Sequence, residues 1–129
     1  MIKQAEYSHP GFINIWSYIL QKLGCSDYLS DEIPCYFNNY WMARPKLMIE
    51  YINFFKSVIN IMETDSNLQT ALNQNTGYKG NLTSQQLINI SGKPYYTFHP
   101  FILERLPCYF FWYKKTKLYQ ANLNVNSII

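Results

Sequence analysis

Charge is what this chain has least of: 15% of its 129 residues are Asp, Glu, Lys or Arg, against about 25% in an ordinary domain. The five glycines are scattered at positions 11, 24, 77, 80 and 92. That excludes a glycine-rich phosphate loop, and no Gly-x-Ser-x-Gly turn is present to carry a hydrolase nucleophile. Three cysteines, Cys25, Cys35 and Cys108, cannot all pair, and their spacing fits no zinc pattern. No apolar run approaches the roughly 18 residues of a membrane span. The opening "MIKQAEYSHPGF" lacks the apolar heart of a secretion signal. These absences predict a cytoplasmic chain with reduced thiols, in which the sequons at Asn81 and Asn89 carry no sugar. No metal site is expected: a set drawn from His9, His99 and Asp27 or Asp31 has no supporting spacing.

Rings and side-chain amides fill the space that charge leaves. There are 12 Tyr, 8 Phe and 3 Trp, and the densest stretch is "YYTFHPFILERLPCYFFWYKK", with nine rings in residues 95 to 115. Most of these rings are expected to be core wall, with one edge around His99 to Arg105 facing a site. The net charge of +3 is too small to argue for nucleic acid, which is not the expected partner. It is unevenly spread, at +4 over residues 93 to 117 and −1 elsewhere. That basic end suits either a solvated tail or a contact with phosphate.

A chain of 129 residues is one domain's worth. We read residues 1–115 as a single globular unit and 116–129 as a frayed tail. Phe12, Ile15, Trp16, Ile19, Leu20 and Leu23 recur at helical spacing, with Pro10 in the first turn and Gly24 as the stop. "CYFNNYW" reads as a strand or tight loop. Pro45 opens the longest helix, whose apolar stripe runs from Leu47 to Met62. Residues 65 to 76 suggest a shorter polar helix. Thr83 and Gln86 have capping-box spacing, with Gly92 ending that helix. "KPYYTF" reads as extended, "HPFILERLP" as a short helix, and "CYFFWYKK" as a strand. The expected class is therefore α+β, mainly helical with a few short strands.

Four groups of residues could carry chemistry. His99 precedes Pro100 at a helix entrance, where free N–H groups favour anions. His99 and Arg105 could clamp a diphosphate, or could cap the helix and anchor a loop. Glu104 stands between "IL" and "RL". A carboxylate in apolar company is either paired or raised in pKa towards the range of a general base. Asn39, Tyr40 and Trp41 place amides beside flat rings, which suits a sugar and equally a turn feeding core rings. His9 repeats the His-Pro setting of His99 and is read first as a helix cap.

The order "HPGF…W", "NNYWMARPKLMIEYINFF" and "GYKGNL…GKPYYTFHPFILERLPCYFFW" resembles the C-terminal portion of glycosyltransferases encoded in bacterial surface-polysaccharide loci and some large DNA viruses. The resemblance covers roughly residues 7 to 112. It implies the acceptor-side half of a GT-A-like enzyme that moves a sugar from a nucleotide-sugar donor to a hydroxyl acceptor. Glu104 would take the hydroxyl proton, His99 or Arg105 would steady the leaving diphosphate, and Asn39, Tyr40 and Trp41 would bind the acceptor. The Asp-x-Asp motif of such enzymes is missing: Asp27 and Asp31 in "SDYLSDE" are four apart. The chain is therefore expected to be incomplete alone. A nucleotide sugar with Mn or Mg enters only if a donor-domain partner supplies that half. The competing expectation is a non-enzymatic interaction module with an aromatic, basic-rimmed surface, which would bind another protein or a second copy of itself.

Overall fold

The computed structural model describes residues 1–35 and 41–115. Seven helices are formed among them: α1 (Ile2–Ser8), α2 (Phe12–Lys22), α3 (Pro45–Thr64), α4 (Gln69–Leu72), α5 (Ser84–Ser91), α6 (His99–Leu103) and α7 (Leu106–Tyr113). No strand occurs among the described residues, so the fold is all-α and the expected α+β class is wrong. The GT-A-like sheet implied by the resemblance has no counterpart among the described residues. The strand or loop read over "CYFNNYW" and the frayed tail fall largely or wholly outside the described residues.

Two misread segments account for the error in class. "CYFFWYKK" belongs to α7, in which every residue from Leu106 to Phe111 is buried. A short apolar run has no visible period, so strand and buried helix look alike. Pro107 decides the matter, since proline suits the first turn of a helix. "KPYYTF", read as extended, bends at 93–95 and again at Phe98, which is helical in backbone (φ -74, ψ -18), and forms no strand. Its backbone instead answers the loop after α4: the Thr76 N–H donates to the Tyr96 carbonyl at 3.1 Å and the Phe98 N–H to Leu72 at 3.0 Å. Residues 65 to 76 form only the single turn of α4, whose first residue Gln69 donates its side-chain amide to the carbonyls of Met62 and Asp65.

A helix, α1, precedes the first one that the sequence pattern predicts. Ile2, Ala5 and His9, at helical spacing, are buried, and α1 packs on α2. The corner between them depends on Glu6, whose carboxylate accepts the N–H groups of Gly11 (2.9 Å) and Ile13 (2.8 Å). A negative group at a helix start is favourable, and Glu6 supplies the cap that Gly11 cannot. Gly11 turns the chain at φ 101, so α2 begins at Phe12 and not at Pro10. At the other end of α2, Gly24 N–H bonds to Gln21 and Cys25 N–H to Leu20. With Gly24 at φ 70, this is a Schellman stop.

One apolar cluster runs from Ile2 to Phe111. Trp16 is wholly buried and donates its indole N–H to the Tyr28 carbonyl at 2.8 Å. α3 lays Tyr51, Val58, Ile61 and Met62 into the cluster and packs against α2, α4 and α7. At its C-terminal end Asp65 is buried, where it accepts from Tyr18, Lys22 and the Asn67 N–H. Hydrogen bonds from Lys22 and then Tyr18 hold its carboxyl below the usual range. α5 carries the complete capping box of Thr83 and Gln86 and stops at Gly92. Between α6 and α7 the chain makes a turn at Glu104 and Arg105, which lies over the end of α1.

Candidate functional site: a cavity at the α1–α6 corner

A cavity of about 270 Å³ opens where the last turn of α1 meets the α6–α7 turn. α1 contributes Gln4 and Ser8, and His9 follows at its C-cap; Phe101 comes from α6, Glu104 and Arg105 from the turn, and Tyr78 from the loop before α5. The helical period puts Gln4 and Ser8 on one face, and Gln4 Nε2 donates to Ser8 Oγ at 3.0 Å.

Arg105 is 5% exposed and most of its donors are engaged. Nη1 donates to the Phe101 carbonyl at 2.9 Å and to Glu104 Oε1 at 2.5 Å, and Nη2 donates to Gln4 Oε1 at 3.0 Å. Its guanidinium lies over the Phe12 ring at 5.3 Å, an arrangement that suits a planar cation. Nε has no partner among the described residues.

His9 is 3% exposed. Its ring stacks on Phe101 with centroids 3.8 Å apart and meets the edge of Tyr78 at 5.8 Å. Its Nδ1 is buried without a partner among the described residues. Burial, and then the positive charge of Arg105, push its pKa down to about 4, so the ring is neutral at neutral pH. Buried polar atoms without partners are rare in folded proteins, and both of these belong to residues that line one cavity.

The structure brings Glu104 and Arg105 together and leaves His99 elsewhere. His99 lines a second, mostly apolar groove of about 350 Å³ with Leu82, Leu87, Ile90, Tyr95 and Pro100 among its neighbours. Its Nδ1 is paired with Thr97 Oγ1 at 2.9 Å, and burial lowers its pKa. It stands at the start of α6, which is five residues long and too short for a substantial dipole. Glu104 is not enclosed by its apolar neighbours in sequence: its side chain is 43% exposed and ion-paired. Trp41 packs edge-on against Tyr51 and Phe111, both at 4.9 Å, in the manner of a core ring. Asn39 and Tyr40 lie outside the described residues.

Sequence reasoning gives no signal for Gln4, Ser8 or Tyr78, and takes His9 first as a helix cap rather than as part of a site. The echo of "SHPGF" in "FHPFI" was visible, but its meaning depended on α1, whose spacing of Ile2, Ala5 and His9 was the available signal. Among the described residues no three His, Cys, Asp or Glu side chains gather as a metal site would need, and no helix is long and apolar enough to cross a membrane. No family model, curated protein or solved structure matches the chain.

Proposed function

We propose that this chain is the acceptor-side module of a sugar-transferring enzyme, and that the acceptor enters the cavity at the α1–α6 corner. The observation that carries the reading is the lining itself. Amide, hydroxyl and carboxylate groups of Gln4, Ser8 and Glu104 stand beside the half-exposed ring of Tyr78. A sugar presents hydroxyls at its rim and C–H groups on its faces, so polar groups beside a flat ring complement both.

In the complete enzyme Glu104 is the group that takes the proton of the acceptor hydroxyl. Arg105 keeps Glu104 and Gln4 in place, and its charge is already paired. The donor nucleotide sugar and its Mn or Mg are held by a donor-domain partner in the cytoplasm, and no step is assigned to a metal on this chain. Titration of the whole chain with neutral glycosides, followed by amide and side-chain NMR, tests the proposal. Saturable shifts confined to His9, Tyr78 and Glu104, and abolished by Tyr78→Ala, are expected. Saturation with no shift at these residues would refute it.

The aromatic, basic-rimmed surface of the competing reading is largely buried at Phe98, Phe101, Tyr109, Phe110 and Phe111, and a different surface is available for a partner. Met42 is 97% exposed, and Ile49 and Ile52 on one face of α3 are 61% and 42% exposed. We assign this apolar face to the donor-domain partner, which makes the two readings compatible. Sedimentation of the wild type against Ile49→Lys separates a partner face from a self-association face. Concentration-dependent dimers that the substitution dissolves would give the face to a second copy.

A further inference from the structure

The cavity at the α1–α6 corner holds one guanidinium and one carboxylate, and their contact fixes what can enter. We propose that Glu104 sets the charge selectivity of this cavity, cancelling Arg105 so that the site takes neutral, hydroxyl-bearing ligands and rejects phosphates and carboxylates. The inference rests on the cavity being the ligand site, as the proposed function has it.

Three observations support it. The Glu104 carboxylate lies 2.5 Å from Arg105 Nη1, and these two are the charged side chains in the lining beside a neutral His9. An arriving anion therefore meets a neutralised cation and an exposed carboxylate that repels it. Second, Arg105 has little left to offer an anion. Its Nη atoms serve Phe101, Glu104 and Gln4, so the paired, parallel N–H donors that recognise phosphate or carboxylate are already committed.

Third, the two buried nitrogens without partners, His9 Nδ1 and Arg105 Nε, ask for different things. Arg105 Nε can only donate, whereas a neutral imidazole nitrogen donates or accepts according to tautomer. A hydroxyl both donates and accepts, so a polyol whose entry uncovers these nitrogens answers either tautomer. A carboxylate or the phosphate group of a monoester dianion accepts only, and it would leave one tautomer of His9 unsatisfied. On this inference Arg105 does not steady a diphosphate, the role the resemblance implies: the guanidinium is a scaffold for the carboxylate that faces the ligand.

Isothermal titration of the full chain decides the matter, with three probes: methyl glucoside, glucose 6-phosphate and inorganic phosphate. The wild type is expected to prefer the neutral glycoside over the phosphate ester by roughly tenfold or more. Glu104→Gln uncovers the guanidinium, so its affinity for inorganic phosphate should rise by about tenfold or more and its preference between the two sugars should invert. Glu104→Asp keeps the charge and should keep the wild-type preference. Glu104 is half exposed, so the amide variant should fold, and its circular dichroism checks this. If Glu104→Gln gains no phosphate affinity, the charge-selectivity inference is wrong whatever the sugars do. If it gains phosphate while no protein binds the neutral glycoside, charge selectivity stands and the sugar-acceptor reading falls. A wild type that prefers glucose 6-phosphate overturns the inference outright.

Discussion

Two His-Pro corners occur in this chain, and they differ in almost everything but the dipeptide. At the first, His9 closes α1, is sealed to 3% exposure, stacks on Phe101 and leaves Nδ1 without a partner among the described residues. At the second, His99 opens α6, is half-buried beside an apolar groove and has Nδ1 paired with Thr97. Proline explains why both lie at helix boundaries. It does not explain which histidine meets charge. That is settled by α1, which carries Gln4, Ser8 and His9 onto the Glu104–Arg105 turn more than 90 residues away in sequence. A dipeptide marks a place along the chain, and long-range packing gives it neighbours.

The comparison breaks most completely at Phe101, the ring beneath His9 and two residues after His99. Phe101→Ala should cost about 3–5 kcal/mol, as for other buried aromatic truncations. It should also erase the difference between the corners by exposing His9. Chemical denaturation measures the first effect. An imidazole pKa for His9 returning towards 6.5 in an NMR titration measures the second. A loss under about 1 kcal/mol would mean that Phe101 does not support the corner.

The next effect is on pH dependence. His9 has a folded pKa of about 4, below its ordinary 6.5, so between these values the unfolded chain binds more protons than the folded one. Stability is therefore fully present above about pH 6.5, falls as the pH drops towards 4, and levels off below that. The loss assigned to His9 is about 3 kcal/mol. Burial lowers the His99 pKa too, so its contribution has the same sign. His9→Asn should flatten the profile more than His99→Asn. Equal flattening by the two variants would contradict the distinction between the corners.

The smallest effect sharpens the contrast. Thr97→Val removes the hydroxyl from His99 Nδ1 and makes the second corner resemble the first. A net loss of about 0.5–1 kcal/mol is expected for one partly buried hydrogen bond, with no change in glycoside binding. Weakened binding would place the ligand at His99.

How far the sequence could be read follows the range of the interactions involved. Signals confined to a few neighbours were legible: Pro45 opening α3, the Thr83–Gln86 box, and the stops at Gly24 and Gly92 all appear where their chemistry puts them. Pro10 misled by two residues because Glu6, from the preceding helix, caps α2 in its place. The α7 segment was misread because burial on every side removes the polar face that would have revealed its period. The site was only half legible. Glu104 and Arg105 stand in the cavity, since neighbours in sequence stay neighbours in space. His9 and Gln4 could not be joined to them without the packing of α1. Tyr78 reaches the site from a loop, and nothing in its local sequence marks it.

The central claim is that ligands enter at the His9 corner and not at the His99 groove. Long-range ¹H–¹⁵N correlation of the two imidazoles, recorded during titration of the full chain with methyl glucoside at neutral pH, tests it most directly. The account predicts a saturable change at His9 Nδ1, with His99 unmoved and the His9 response lost in Tyr78→Ala. A saturable change at His99 with His9 unmoved would contradict it and transfer the site to the groove beside α5.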